Sequence, residues 1–503
     1  MKDNLKKFAA KYFVYFFAAG VLLLNFTLIF DNVVWGDEAF SGTVIQGTDM
    51  FGILQRIYYW DTHPPLYYLL LKVLSAVLGY HTWVFHLFSY LMYAAGVVFV
   101  LICWKKKTGW FPVALFILVG GLSATCVEYD LEIRMYALVF TEILLCCYFS
   151  YLIITQQAKK REWVLLVLFG VAAAYSHYYG LVTTGILLAV TSFGYFLIHK
   201  GKTWLYGVVS VAAYLLLYSP WLVALCRQMK VVSNGWWATS PSAFDPLMEF
   251  LFGGARMKPV LMPLTIVLSV LVIVSDLGIF EMKKVDKGQY LVAFRKKFSL
   301  KEISAQGRGI LVLWGTVALV IGFAYGISAV YKPILEVRYM YPLEPLLLTI
   351  LMLASDKFLK NAVEWKIKKG AYLLSGVLFT LLLIIGLMDF RYFRSVSRTQ
   401  DVETGKILTW VGNAGKDTVF MADGVRHLAW SVLAYYYPES RIEAGNPLEA
   451  PKDAPEVWSF MGYLLKDDIL KEMEERGYHM ELRKDMWMGK YGCNLYHFYR
   501  ESE

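Results

Sequence analysis

The amino-acid sequence predicts a polytopic α-helical membrane protein, with about eleven transmembrane helices and a small α/β domain at its C-terminal end. Its 503 residues are 58% hydrophobic and only 18% charged, with a mean hydropathy of +0.48. The apolar residues fall in blocks of about 20, the length of helix that crosses a bilayer core. Lys and Arg are concentrated between these blocks, where they set membrane topology, so the positive net charge does not indicate a nucleic-acid partner.

Eleven apolar blocks are candidate membrane spans: 12–30, 83–104, 110–127, 135–155, 163–178, 181–198, 204–225, 259–280, 310–330, 339–355 and 371–388. The first block ends without a small-residue cleavage site, so it predicts a retained span and not a signal peptide. The connections predicted to be inner hold 25 Lys and Arg, whereas those predicted to be outer hold 9. The positive-inside rule therefore predicts a plasma-membrane protein with a cytoplasmic N-terminus and an extracytoplasmic C-terminus.

Two regions lack the pattern of a span. Residues 65–79 are apolar, but they are few, begin at a proline pair and contain Lys72, so they predict an interfacial helix in the first outer loop, residues 31–82. The tail alternates helix-like stretches with strand-like ones at 418–422, 457–461 and 495–499. The sequence therefore divides into a membrane module, 1–388, and an extracytoplasmic α/β domain, 389–503.

The first outer loop carries the leading candidates for chemistry. Asp37 and Glu38 directly follow a glycine, with one aromatic residue shortly before them and another shortly after, close to the predicted membrane boundary. A carboxylate in that position suits a general base, although a plain solvated loop gives the same pattern. Further along, Asp61 and His63 precede the proline pair, where they form either part of a site or a helix-capping loop.

Six further candidates lie at later connections on the same predicted side: Glu132 and Arg134 before the fourth span, His177 and Tyr178 at the end of the fifth, and Arg338 and Tyr339 at the start of the tenth. A guanidinium at headgroup depth suits a bidentate contact with phosphate. The alternatives are a local ion pair of Asp130 with Arg134, a structural histidine and an arginine that snorkels to lipid. Trp236, Trp237 and Phe244, in the fourth outer connection, suit either sugar stacking or the interfacial aromatic belt.

In this order, the motifs resemble the GT-C superfamily of polytopic glycosyltransferases, in particular bacterial members of glycosyltransferase family 39, the protein O-mannosyltransferase-like group. The matching pieces are Gly36-Asp37-Glu38, Asp61-x-His63-Pro64-Pro65-Leu66-Tyr67-Tyr68, Glu132-x-Arg134-x-Tyr136, His177-Tyr178-Tyr179, Ser219-Pro220-Trp221, and Arg338-Tyr339 followed by Pro342 and Pro345. The resemblance extends over most of the chain. It implies transfer of a sugar from a polyprenyl-phosphate donor to an acceptor hydroxyl at the outer face, with inversion.

The resemblance also implies roles for individual residues. Asp37 would deprotonate the acceptor hydroxyl, and Glu38 would position the acceptor or the donor. Arg338, helped by Arg134 and His63, would neutralise the departing lipid phosphate. An acidic pair without a fixed third ligand does not decide metal dependence. We expect no obligatory metal, and a divalent ion stays compatible with the pair. The sugar and the acceptor, whether glycan, lipid or protein, are left open.

Two alternatives come from other classes of protein. A transporter or flippase of lipid-linked sugars would use the same headgroup contacts, but it should place ionisable residues near the membrane midplane on broken helices. Glu142 is the clearest acid inside a predicted span. A non-catalytic envelope scaffold would tolerate the substitution Asp37→Asn, which an enzyme that uses this carboxylate as a base would not.

Overall fold

The computed structural model describes residues 2–31, 33–155, 158–199, 204–234, 245–254, 256–277, 280–286, 289–294, 302–364, 367–423 and 428–500. The helices are α1 (Lys2–Phe26), α2 (Gly36–Ile45), α3 (Met50–Trp60), α4 (Leu66–Leu78), α5 (Thr82–Phe99), α6 (Lys105–Thr108), α7 (Trp110–Leu122), α8 (Ala124–Leu131), α9 (Tyr136–Ile154), α10 (Lys160–Ser176), α11 (Tyr178–Ile198), α12 (Leu205–Tyr218), α13 (Leu222–Asn234), α14 (Asp245–Phe252), α15 (Lys258–Asp276), α16 (Ala305–Val330), α17 (Glu344–Glu364), α18 (Lys368–Val411), α19 (Leu428–Tyr436) and α20 (Asp467–Glu475). The strands are β1 (Phe280–Asp286), β2 (Gln289–Phe294), β3 (Thr418–Ala422), β4 (Arg441–Ala444), β5 (Glu456–Met461), β6 (His479–Met488) and β7 (Tyr491–Tyr499).

The helical membrane fold predicted from hydropathy is confirmed. Among the described residues, seven helices are long and apolar enough to cross a bilayer, and the pair α7 and α8, bent by 70°, is an eighth candidate. Ser123 separates that pair because its backbone is extended, with φ −67° and ψ 128°. The three remaining apolar blocks coincide with α1, α10 and α17, so each of the eleven predicted spans lies on a helix.

The connections gather at two ends of the helical bundle. At one end, Lys105 Nζ donates to Tyr15 OH at 3.0 Å, and Lys357 Nζ lies 3.6 Å from Asp276 Oδ1. These residues adjoin connections that the charge pattern assigns to the inner side. The connections assigned to the outer side meet at the other end, where they build the candidate site described below. Which end faces the cytoplasm stays a prediction.

The first outer loop is folded into α2, α3 and α4. The 13 residues of α4 extend about 20 Å, which is too short to cross a hydrocarbon core of about 30 Å. This helix buries Tyr67 and Tyr68 completely, and Lys72 Nζ donates to the carbonyl of Ile45 at the end of α2. The helix predicted at 65–79 is therefore present, and it packs on the helix that carries the acidic pair.

The C-terminal domain is joined to the membrane module by one continuous helix. The 44 residues of α18 run across position 388, where the drop in hydropathy divides the sequence, and the helix packs against β6. Its five-stranded sheet has the order β4-β3-β5-β7-β6, with β3 parallel to β4 and β5, and with β7 antiparallel to β5 and β6. The three predicted strands lie on β3, β5 and β7, whereas β4 and β6 were not predicted.

One hydrophobic cluster connects this domain to the first outer loop. It includes Val44 and Phe85 from the loop and the following span, and Phe420, Val432 and Leu495 from the C-terminal domain. Helix α19 packs against α2, and a Cβ atom on Gly42 would lie 2.5 Å from the ring of Tyr435. The C-terminal domain is therefore packed directly on the helix that carries Asp37.

Strands β1 and β2 form an antiparallel hairpin in the connection predicted to be inner. Trp236, Trp237 and Phe244 lie outside the described residues, so their use stays a prediction.

Candidate active site

Helix α2 is fixed at both ends, which sets the position of the acidic pair. Its first turn contains Asp37 and Glu38, where the helix dipole favours negative charge. Glu38 Oε2 accepts a hydrogen bond from Trp35 N at 3.1 Å, the return half of a capping box. At the other end, Arg56 Nη1 donates to three main-chain carbonyls at 2.7 to 3.0 Å. The Asp37 carboxylate therefore projects from an anchored helical turn.

Asp37 forms an ion pair with Arg338, a residue that is distant in the sequence. Arg338 Nη1 lies 2.9 Å from Asp37 Oδ2, and the two side chains are 20% and 26% exposed. The guanidinium also lies over the rings of Trp35, at 5.3 Å, and Tyr339, at 5.2 Å. The aromatic faces hold the cation beside the carboxylate, and both charged groups remain open to an incoming ligand.

Glu38 has a different environment from its neighbour. The residue is 1% exposed, and its Oε1 accepts a hydrogen bond from Ile133 N at 3.0 Å. Lys490 Nζ, from the C-terminal domain, lies 3.7 Å from Glu38 Oε2. Glu38 thus connects α2 to the chain before the fourth span and to the C-terminal domain. The role that the resemblance implies for it, positioning a substrate, stays a prediction.

Glu132 belongs to the same buried acidic cluster. Its Oε1 accepts from Trp35 Nε1 at 2.8 Å, so the indole that covers Arg338 is held by this carboxyl group. Burial raises the pKa of Glu132, and the nearby charge of Glu38 raises it further, whereas Lys490 opposes the shift. Positive charge near Glu132 therefore favours the ionised form of this carboxyl group.

Arg134 connects the first outer loop to the second. Its Nη1 donates to Tyr68 OH at 2.9 Å, to Ser41 Oγ at 3.2 Å and to the main-chain oxygen of Asp37 at 3.4 Å. Its Nη2 lies 3.2 and 3.4 Å from the two ring nitrogens of His63. Arg134 is 2% exposed, so its positive charge lies inside the site and not at the surface.

The local ion pair considered for Arg134 is not formed. Asp130, four residues earlier, accepts a hydrogen bond from Tyr341 OH at 2.6 Å instead. Arg134 points away from it, toward α2 and α4, because the chain leaves the helix at Glu132, the residue that follows α8. The alternative of a local salt bridge was therefore wrong.

Asp61 and His63 form a pair within this network. Asp61 Oδ1 lies 2.9 Å from His63 Nδ1, and Asp61 Oδ2 accepts from Tyr68 OH at 2.6 Å. Burial alone would raise the pKa of Asp61, but the His63 ring and the Arg134 charge outweigh it, so the pKa lies well below its usual value. Asp61 thus supplies a fixed negative charge that orients the imidazole and the phenol.

The central position of Arg134 predicts a large effect on stability. Arg134→Met should lower the free energy of unfolding by about 3 to 5 kcal/mol, because it leaves buried polar partners without their cation. Arg161→Met is the matched control, because Arg161 pairs with Glu162 while its side chain is 79% exposed, and it should change the value by less than about 1 kcal/mol. Equilibrium unfolding in mixed micelles measures the free energy of unfolding of both variants. Equal losses would contradict the central position assigned to Arg134.

His177 and Tyr178 lie beside the network. His177 Nδ1 accepts from Tyr179 N at 3.0 Å, so the imidazole caps α11, which is the structural use considered for it. Its ring also lies 5.8 Å from that of His63 and 6.1 Å from that of Tyr339. Tyr178 OH donates to Gln228. These side chains form a wall of the site and not part of its charge network.

An apolar cavity opens from this wall. It has a volume of about 250 Å³ and is lined along its length by side chains of the spans, among them Val182, Leu225, Phe323 and Ile327. His63, His177 and Tyr339 line its polar end. The residue after Arg338 therefore borders both the ion pair and an apolar space between helices.

A second, polar cavity lies on the Glu38 side of the site. Its volume is about 640 Å³, and its lining includes Glu128, Arg256, Asp389, Gln400 and Lys490. Because Lys490 also contacts Glu38, the acidic pair is flanked by an apolar cavity on one side and a polar cavity on the other.

No group of three or more His, Cys, Asp or Glu side chains converges as a metal site within the described part of the chain. The structure therefore assigns no metal ligands, and the predicted independence from metal stays a prediction.

All ten residues selected from the sequence lie in or beside this one site. Sequence reasoning missed Ser41, Tyr68, Gln228 and Lys490 as contacts. Tyr68 belongs to the motif around Asp61, so its place in that motif could have indicated a contact with the site. Lys490 carried none, because it is one of many lysines in a polar tail.

The helical bundle, the folded first loop and the C-terminal sheet together define a polytopic helical membrane protein whose C-terminal domain packs on its first loop. No protein-family model and no curated protein matches the sequence. Among solved structures, ArnT from Cupriavidus metallidurans in the apo state aligns with a TM-score of 0.60 and 13% identity, over 97% of this chain and 98% of its own. The same protein bound to undecaprenyl phosphate aligns with a TM-score of 0.61 and 12% identity over the same shares. The predicted GT-C fold is confirmed, and the narrower resemblance to family 39 stays a prediction.

Proposed function

We propose that this protein is a membrane glycosyltransferase that moves a sugar from a polyprenyl-phosphate donor to an acceptor hydroxyl at the outer face of the plasma membrane. One observation carries the proposal: the Asp37–Arg338 pair, at 2.9 Å, adjoins the polar end of an apolar cavity between the spans. A cation at that point suits a lipid phosphate, and a carboxylate beside it suits the activation of a hydroxyl group.

The apolar cavity suits the first isoprene units of the donor. Its lining is almost entirely apolar, and Tyr339 stands between the cavity and the Arg338 guanidinium. A lipid chain in the cavity would place its phosphate near Arg338. The structure of ArnT bound to undecaprenyl phosphate shares this fold, which supports a lipid of the same class here.

Donor binding and base activation are linked through Arg338. In the structure its guanidinium is paired with Asp37 Oδ2. A donor phosphate competes for the same N–H groups, so its arrival weakens the hold on Asp37 and frees the carboxylate to contact the acceptor hydroxyl. The base is therefore most active when the donor is in place.

The reaction is a single displacement at the anomeric carbon. Asp37 takes the proton of the acceptor hydroxyl as its oxygen forms the new bond to the anomeric carbon. The bond from that carbon to the phosphate oxygen breaks, and polyprenyl phosphate leaves with the electron pair. Arg338 stabilises the charge that develops on the phosphate, and Arg134 adds positive potential through His63. One displacement inverts the anomeric configuration.

Turnover with purified protein tests the proposal. The protein is placed in nanodiscs with a set of labelled polyprenyl-phosphate sugars and an envelope extract as the source of acceptors. Release of polyprenyl phosphate together with labelled acceptor is the expected result. Transfer of an intact lipid-linked sugar across the bilayer, without release of polyprenyl phosphate, would instead identify a flippase.

Filling the apolar cavity should change the response to donor length. We expect Ile327→Trp to raise the KM for a long-chain donor by about tenfold or more, because the indole occupies space that the lipid needs. The effect should be smaller for a donor with one or two isoprene units. Leu319→Trp, on the same helix at a position that is 55% exposed, is the control. Equal KM changes for both donor lengths would contradict the placement of the chain.

A further inference from the structure

We propose that Lys490, on the turn between β6 and β7, is a positioning residue for catalysis, which holds the first turn of α2 so that Asp37 meets its substrate. The inference rests on the proposed function and assigns the C-terminal domain a part in it. The domain would then complete the active site and would not be a separate binding module.

The turn between β6 and β7 contacts the chain around the acidic pair through three successive residues. A Cβ atom on Gly489, which has a φ of +60°, would lie 2.0 Å from the carbonyl oxygen of Val34. Lys490 Nζ lies 3.7 Å from Glu38 Oε2, and Tyr491 OH accepts a hydrogen bond from Gly36 N at 3.1 Å. The close approach requires glycine at 489, and it brings a cation to the buried end of α2.

The turn is also held from behind by the long helix α18. Thr404 Oγ1 donates to the carbonyl of Trp487 at 3.1 Å and accepts from Gly489 N at 3.0 Å. The turn therefore lies between α18 and the segment that leads into α2, so the position of Lys490 is set by two separate parts of the chain.

The electrostatics explain why a cation belongs at this point. Arg256 and Asp389 line the same cavity as Lys490. The carboxylates of Glu38, Glu128 and Glu132 act on the charge of Lys490, and the charge of Arg134 acts on Glu132. Burial alone would lower the pKa of Lys490, but these carboxylates raise it above its usual value, so the ammonium group stays charged. Without the Lys490 ammonium, no cation would offset the buried carboxylate of Glu38 beside Glu132. The Glu38 side chain would then be held less firmly in its capping contact with Trp35 N.

Steady-state kinetics on three variants test this role, with wild-type turnover of the donor as the prerequisite. Lys490→Met should lower kcat by about 10- to 100-fold, because a small displacement of Asp37 is costly, while the KM for the donor changes less than about threefold. The acid limb of the pH–rate profile should move to higher pH, because the ammonium opposes the raised pKa of Glu132 and its loss removes that opposition. Lys490→Arg should recover most of the rate. Lys484→Met, which removes one exposed charge from the same hairpin, is the control and should match the wild type.

The outcomes separate this inference from the proposed function. If wild-type protein does not turn over any donor, the proposed function fails. If the wild type is active and Lys490→Met keeps its kcat, or loses rate without a change in the pH profile, the positioning role is wrong. Lys490→Gln provides the same comparison if the methionine variant does not yield folded protein.

Discussion

Asp37→Asn should abolish sugar transfer while leaving the protein folded. Loss of a general base lowers the rate by about 10²- to 10⁴-fold, and the amide keeps the size of the carboxylate, so α2 and its capping contacts should persist. The affinity for polyprenyl phosphate should stay the same or increase, because the carboxylate no longer competes for Arg338. Turnover and lipid binding measured on the same preparation give both values.

Asp49→Asn is the matched control for this variant. Asp49 is an exposed carboxylate in the same loop, and it caps α3 by accepting from Gly52 N at 2.8 Å. Asparagine also caps helices well, so this change should leave turnover unaltered. Unchanged turnover in Asp37→Asn would reject the base assignment and would favour a transporter or a scaffold.

Arg338→Ala should give the second large effect, and it should act first on the donor. Removing the guanidinium takes away the contact proposed for the phosphate and leaves Asp37 without its partner. The expected loss in affinity for polyprenyl phosphate is at least about 2 kcal/mol, or about 30-fold. The two variants thus differ in kind, since Asp37→Asn loses rate with affinity retained and Arg338→Ala loses affinity.

Lys332→Ala removes one positive charge from the same connection and serves as the control for Arg338→Ala. It should change the donor affinity by less than about threefold, because a single charge away from the phosphate is screened by salt. If both variants weakened binding equally, the connection would act through its net charge, and the assignment of the phosphate to Arg338 would be wrong.

The sequence predicted the membrane fold well because the bilayer imposes a length on every span and a charge bias on every connection. The same bias predicted that distant clusters would share one end of the bundle, and the structure brings Asp37 and Arg338 together there. The distance between them could not be predicted, because it depends on how the spans pack. Residue type and predicted membrane side selected the two residues, the resemblance gave them roles, and the packing of the spans made them a pair.

The different environments of Asp37 and Glu38 show where sequence reasoning ends. Adjacent residues on a helix point about 100° apart, so one carboxylate of the pair faces the open site and the other is buried. Which of the two carboxylates is buried depends on the rotation of α2 about its axis. Arg56 and the C-terminal domain fix that rotation through contacts with the two ends of the helix. No local pattern reports that rotation.

The sequence also did not predict how far α18 extends beyond the membrane. The loss of apolar residues after 388 marks where the chain leaves the hydrocarbon, but the helix continues to Val411, because an α-helix satisfies its own backbone hydrogen bonds in water as well. Strand β6 was missed for a related reason, since most of its residues are exposed and show no alternation of apolar with polar residues.

An experimental structure of the protein with bound polyprenyl phosphate tests the central claim most directly. We expect the lipid chain in the cavity lined by Leu225 and Ile327, and a phosphate oxygen within hydrogen-bond distance of the Arg338 guanidinium, with Asp37 released from it. A phosphate bound elsewhere, with the Asp37–Arg338 ion pair intact, would contradict the account.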